Sequence, residues 1–377
     1  MTDGNARRPM ALCLMGGGIT GALYEVGCLA AMEEAFDGFQ ASQFDVVIGS
    51  STGSTVALAI AGGQNAMRLY RALLDPADDF FPLQRNHLLR FDFPELRRMG
   101  LSGIGAFRRV ISNATANPLD VDLWGELDRF YDSLPAGLFT LDAYEKFLEE
   151  FIDRRGIPKT LAGFDGKLLL VSNDLDAGER AVLGAGDLAD VPTAKAVVAS
   201  CATAPLFAPV RVGERDLVDG GLGDVAHVDL ALERGSDFVV LVNPMVPIKS
   251  DPTERDVPTG HGKRKRVRDK GMLWVMNQSW RIRTHPRFEA LFARFREEHG
   301  DSKFVLLEPD RVDAKMFLYS PMSFAARRVI LEDGFRTTLR ALRREDSPVR
   351  QMFLERGFVP KPFESMTVRP PAHVTGE

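Results

Sequence analysis

Twice near its start the chain sets a short apolar run against a glycine-rich turn and follows it with a helix-length stretch. Met10 to Met15 runs apolar into Gly16, Gly17 and Gly18. In the following ITGALYEVGCLAAMEEAF, Leu23, Val26, Leu29, Ala30 and Phe36 approximate a helical stripe. FDVVIG, from Phe44, repeats the device and leads to a helix from about Ser54 to Ala61, stopped by Gly62 and Gly63. Two consecutive strand–helix units predict an α/β fold with a largely parallel sheet covered on both faces, and loops of functional interest at the carboxyl ends of its strands.

Residues 75–160 break this rhythm. DPADDFFPLQRNHLLRFDFPELRRMG has no clean period, and TLDAYEKFLEEFIDRRG reads as a helix with Thr140 as N-cap and Gly156 as stop. The pattern predicts a helical insertion over one end of the sheet. Strands resume in GKLLLVSNDLD and ERAVLGAG, and after a helix near 192–200 in APVRVGERDLVDGG and DFVVLVNPMV. Beyond Asn243 come a basic, proline-containing stretch to Lys270, helical material to His299, the apolar run KFVLLEP and an amphipathic helix from about Ser323 to Arg344. The expected organisation is a tail over 1–9, a catalytic domain over 10–245 containing the insertion, a mostly helical C-terminal extension packed on the core over 246–366, and a disordered tail over 367–377.

Composition narrows the classes. The chain has 377 residues, 45% apolar and 26% charged, which is enough for one large domain with additions. A net charge of −5 provides no global field towards nucleic acid. Cys13, Cys28 and Cys201 sit in apolar surroundings without metal-site spacing and read as reduced packing residues. With no signal-peptide pattern and no spanning apolar segment, the expected location is cytoplasmic, with any membrane contact peripheral.

Three small-residue loops could carry chemistry. Gly16 to Gly21 fits G-x-G-x-x-G, but neither Asp37 nor Asp45 ends a second strand as a ribose ligand should, and a Walker loop lacks its lysine. Glycines at a helix amino terminus instead expose backbone N–H groups where the helix dipole favours negative charge, as an oxyanion hole requires. The second loop, Gly49, Ser50, Ser51, Thr52 and Gly53, centres Ser51 in G-x-S-x-G, the turn that holds a serine hydroxyl clear of the backbone. The third is Asp219 before Gly220 and Gly221, where partial burial would raise the carboxylate's pKa and make it a better base. Of six histidines only His227 lies near a candidate acid, in what reads as a turn entering a helix.

Triple glycine, G-x-S-x-G and D-G-G, in this order and each after an apolar strand, resemble the patatin-like phospholipases. NDLDAGERAVL and ASCATAPLFAPV resemble further family segments, so the likeness covers about residues 10–245. The resemblance implies a patatin-like three-layer α/β/α fold and a Ser–Asp dyad without histidine: Ser51 as nucleophile, Asp219 as general base, and Gly16, Gly17, Gly18 and Gly21 as the oxyanion loop. It implies hydrolysis of lipid acyl esters with no cofactor or metal. Two alternatives stay open: an esterase, thioesterase or polyhydroxyalkanoate depolymerase with the same dyad, and a silent binding protein of this fold. Thr20 stands where the family commonly has Arg or Lys, and Met15 where it often has a small or acidic residue.

Outside these motifs, the basic cluster Lys263–Lys270 has the charge to meet an anionic bilayer surface, or to be a solvated loop. Trp274 and Trp280 follow it and suit either a lipid boundary or the core. Phe80, Phe81, Phe91 and Phe93 would line an acyl groove or anchor the insertion.

Overall fold

A computed structural model describes residues 7–75, 77–83, 87, 90–91, 136–222, 227–249, 257–259, 262–264, 266–310, 319, 323 and 326–362. Most of the expected insertion, Phe93, the Phe91 side chain, part of the basic cluster and the 367–377 tail lie outside the described residues.

Eight strands form the main sheet: β1 (Met10–Leu14), β2 (Val46–Ser50), β3 (Leu168–Asp174), β4 (Glu179–Leu183), β5 (Val210–Val212), β6 (Arg215–Asp219), β7 (Phe238–Val242) and β8 (Lys303–Leu307). Their order is β8-β7-β1-β2-β3-β6-β5, with β4 also on β3. From β8 to β3 every pairing is parallel, whereas β4 and β6 meet β3 antiparallel. β8 comes from the expected C-terminal extension and lies beside β7.

Among the described residues the α-helices are α1 (Gly18–Ala35), α2 (Gly53–Ala61), α3 (Ala66–Leu74), α4 (Asp142–Arg155), α5 (Thr193–Cys201), α6 (Val228–Glu233), α7 (Met272–Glu298), α8 (Arg327–Arg343) and α9 (Pro348–Glu355). Strand residues alternate between two cores. Met10, Leu12 and Leu14 join the core containing Leu29 of α1 and Ile330 of α8, while Ala11 and Cys13 join Val228 of α6 and Phe288 of α7. Burial on both faces is why these strands are continuously apolar, and the layers are α/β/α.

Some local expectations shift. Thr140 lies in a short strand, Phe139–Thr140, and Leu141 rather than Thr140 occupies the N-cap of α4, although Gly156 ends that helix in the left-handed region. α8 begins at Arg327 rather than Ser323. α1 carries no narrow stripe: all but three of its 18 residues are buried. The cause is α8, which crosses it closely. A Cβ on Gly27 would come within 2.5 Å of the Leu331 carbonyl oxygen, and one on Gly334 within 2.6 Å of that of Tyr24. α8 therefore supplies the outer wall of α1.

Candidate active site

β3 brings the site together. Its Val171 pairs with Ser50 at the end of β2, and the next residue, Ser172, pairs with Asp219 at the end of β6. Because β6 runs antiparallel to β3, the two strands meet end to end. Asp219 thus approaches Ser51 head-on.

Ser51 takes φ 54°, a left-handed conformation unusual for a non-glycine residue and costing about 1–3 kcal/mol. Its backbone is held on both sides. The N–H donates to Ser200 Oγ at 3.0 Å, and Ser200 in turn donates to the Val171 carbonyl at 2.6 Å. The Ser51 carbonyl accepts from the Ser54 N–H at 3.0 Å and from Cys201 Sγ at 3.1 Å. The side chain is left to donate from Oγ to Asp219 Oδ2 at 2.7 Å.

Asp219 is buried. Thr203 Oγ1 also donates to Oδ2, and the Gly221 N–H donates to Oδ1 at 2.8 Å. Asn173 Nδ2 fixes the Asp219 carbonyl at 2.8 Å. Burial raises the carboxyl above its ordinary range, while the Thr203, Ser51 and Gly221 donors pull it back. His227 sits at the N-cap of α6 without a side-chain cap bond, buried and outside the cavity lining. No described contact joins it to Ser51 or Asp219.

The glycine loop packs on the serine turn backbone to backbone. Cβ atoms would collide at Gly16 with the Ser50 carbonyl oxygen (2.6 Å) and at Gly53 with that of Leu14 (2.5 Å). Thr52 Oγ1 donates to the Gly18 carbonyl at 2.7 Å and ties the loops together. Gly17, at φ 115°, is the N-cap of α1, so the N–H groups of the first α1 turn have no partner within the helix. Gly17 and Gly18 line the same cavity as Ser51. Thr20 is only 1% exposed and does not line that cavity.

Sequence reading missed Glu25. It lies fully buried in α1, where Oε1 accepts the Gly16 N–H at 2.6 Å and Oε2 has no hydrogen-bond partner. Burial pushes its carboxyl up to about 8 against the backbone donors of Gly16 and Met15. A lone carboxylate in the apolar run ALYEVGCLAAM was the available signal. Ser200, Thr203 and Asn173 were missed as well, being small polar residues far away in sequence. Burial pushes the Cys201 thiol up to about 12, which leaves it protonated near neutrality.

A cavity of about 430 Å³ opens above Ser51. Its lining is mainly apolar, including Leu23 and Val26 of α1, Val56 of α2 and Leu69 of α3. Phe81 belongs to it, but Phe80 anchors its segment instead, with the Arg68 and Arg155 guanidinium groups 4.4 Å and 3.9 Å from its ring centre. The far wall is α7, which presents Leu273, Met276, Trp280, Arg283, Thr284 and Arg287 at helical spacing. Trp274 faces the opposite way and is core, packed with Val246. Buried Arg281 holds α7 in place by donating to the Pro244 and Val246 carbonyls, each at 2.8 Å. Among the described residues no cluster of side chains could hold a metal ion, and no helix is long and apolar enough to cross a membrane.

A family model of patatin-like phospholipase matches residues 12–232, more than half of the chain. The protein belongs to the patatin-like phospholipase family. With membership come the patatin fold and support for lipid acyl hydrolase activity. The matched region ends before α7, β8, α8 and α9. No curated protein matches the chain in sequence. Among solved structures it is similar to VipD from Legionella pneumophila, at 14% identity and TM-score 0.38, over 89% of this chain and 67% of that one. It is also similar to the type III effector ExoU, at 15% identity and TM-score 0.37, over 93% of this chain and 53% of that one. A complex of SpcU with ExoU from Pseudomonas aeruginosa gives 15% identity and TM-score 0.30, over 93% and 59%. The chain thus spans little more than half of ExoU, and likeness at these scores says nothing of substrate.

Proposed function

We propose that the protein is a serine acyl hydrolase of phospholipase A type, with Ser51 and Asp219 as a catalytic dyad. The observation that carries this reading is the 2.7 Å hydrogen bond from Ser51 Oγ to Asp219 at the floor of an apolar cavity. Asp219 accepts the Ser51 proton as Oγ attacks the ester carbonyl carbon. The resulting oxyanion is held by backbone N–H groups of the Gly17–Gly18 turn, preorganised by the helix start. Collapse expels the alcohol, which takes the proton from Asp219 and leaves an acyl-serine. Water then attacks, giving its proton to the same carboxylate, and the fatty acid departs as Ser51 regains its hydrogen. Desolvation suits Asp219 to this work, because a raised pKa makes the ionised form a stronger base.

The lining supports a lipid carrying an anionic group. Arg283, Arg287 and Arg327 line the cavity, and Asp219 is its only carboxylate among the described residues. An apolar interior beside arginines matches an acyl chain joined to a phosphate. A hydrolysis panel tests the reading, with phosphatidylglycerol, lysophospholipid, triacylglycerol and a short nitrophenyl ester as substrates. Phospholipid turnover above triacylglycerol, lost in Ser51→Ala, is the expected result. Turnover of the short ester alone would make the protein a carboxylesterase with the same dyad. A folded protein that takes no fluorophosphonate label at Ser51 would be a binding protein only.

A further inference from the structure

Seven large apolar side chains stand exposed among the described residues, and four of them fall within eleven residues of α7: Met272 (75%), Leu273 (39%), Val275 (42%) and Ile282 (57%). Helical spacing puts Met272, Val275 and Ile282 on one face, beside the face that turns Leu273, Met276 and Trp280 into the cavity. Leu273 belongs to both, being partly exposed and lining the cavity. The third face is buried and fixed by Trp274 and Arg281, with Asn277 at its border with the cavity. This helix is therefore held from behind while a mainly apolar stripe about 15 Å long, from Met272 to Ile282 and interrupted by Ser279, is left exposed.

Charge indicates what covers it. From Lys270 to Phe288 the sequence contains no carboxylate. Immediately before α7, Lys263–Lys270 holds six basic residues and one acidic, Asp269. The turn Val267–Lys270 leads directly into the helix, with Arg266 and Arg268 exposed. An apolar stripe flanked by cations and free of anions complements a bilayer bearing anionic lipid, into which a helix sinks its apolar face while basic groups stay at the headgroups. An ordinary solvated helix would carry charges of both signs on that stripe.

We propose that the first half of α7, with the basic segment before it, docks the protein on an anionic bilayer surface and opens the cavity directly onto it. A lipid then crosses only the Leu273–Trp280 edge of one helix to reach Ser51. The docking stands on the exposed surface alone, and only the lipid's onward route rests on the hydrolase reading.

Vesicle sedimentation of the full chain tests it, comparing phosphatidylcholine vesicles with vesicles about one-third phosphatidylglycerol. Wild type should bind the mixed vesicles at least about tenfold better, an advantage lost at high salt. Met272→Ser/Val275→Ser/Ile282→Ser, all on the exposed face, should bind at least about tenfold more weakly and turn over vesicle lipid correspondingly slower. Its turnover of a soluble short-chain ester should not change. Arg266→Gln/Arg268→Gln should narrow the preference for anionic vesicles. Should the triple variant unfold, Ile282→Ser alone keeps the test, with a smaller loss of the same kind. Unchanged vesicle binding in the folded variants overturns the proposal. So does a wild-type dimer that the triple variant converts to monomer, since the stripe would then be a subunit interface. Ser51→Ala should bind vesicles like wild type. If wild type binds through this face yet hydrolyses no ester, docking stands and the hydrolase reading falls.

Discussion

Around Ser51 the cavity floor is backbone set against backbone, whereas across the cavity α7 faces it with side chains. On the floor, glycines let the Gly16 loop and the serine turn approach to distances that no Cβ permits, and both carboxylate oxygens and the carbonyl of Asp219 accept hydrogen bonds. On the α7 wall, Leu273, Met276 and Trp280 are side chains projecting from a helix pinned from behind by Arg281. The floor has one workable geometry, while the wall can change residue by residue without disturbing it. The proposed dyad on the floor lies within residues 12–232, whereas the α7 wall lies outside them.

The sharpest way to break this division is to attack the floor. Ser51→Ala and Asp219→Asn should each lower kcat on a soluble ester by at least about a thousandfold with folding intact, whereas His227→Ala should stay within about tenfold. Circular dichroism with turnover measurements checks all three. A folded His227→Ala protein as inactive as Ser51→Ala would replace the dyad by a triad.

Gly53→Val should unfold the protein or lower its stability by several kcal/mol, roughly 3 or more, because its Cβ meets the Leu14 carbonyl at 2.5 Å and backbone cannot step aside. Thr20→Arg should also lower the melting temperature, since the guanidinium would replace a side chain 1% exposed. Thermal unfolding measures both. A stable, active Gly53→Val enzyme would remove the claim that close backbone approach defines the floor.

The wall should respond more gently. Trp280→Ala ought to leave stability and short-ester turnover nearly unchanged while shifting preference among acyl-chain lengths by about tenfold, the scale of a few apolar contacts. Equal losses on short and long chains would mean that α7 shapes the floor as well.

The smallest effect concerns Glu25, which lies beneath the glycine loop. Its folded-state pKa of about 8 lies above the ordinary carboxylate value of 4.5. The folded protein therefore keeps a proton that the unfolded chain releases, and this carboxyl's contribution to stability falls as pH rises from about 4.5 through about 8. Above that range a buried anion faces the loop assigned to the oxyanion, so turnover should decline at alkaline pH. Glu25→Gln retains an oxygen for the Gly16 N–H and should flatten both profiles. Identical pH profiles of melting temperature and turnover in the two proteins would show that Glu25 does not titrate where its burial places it.

Much of the floor was legible in the sequence because backbone constraints are written as residue types. Close approach demanded glycine at Gly16, Gly53 and Gly220, burial on both sheet faces demanded unbroken apolar strands, and those two signals located Ser51 and Asp219. Strand direction was not written there. Only the pairing of β3 with both β2 and β6 decided that Asp219 arrives head-on, since an apolar strand reads alike in either direction. Tertiary structure also sorted chemically equal residues into different jobs: Phe81 to the cavity and Phe80 to an anchor, Trp280 to the wall and Trp274 to the core. The supports Ser200 and Thr203, and the choice of α7 as the far wall, depend on contacts between separate segments of the chain. Local composition specifies what a segment can bury, and only the assembled sheet decides which partner it meets.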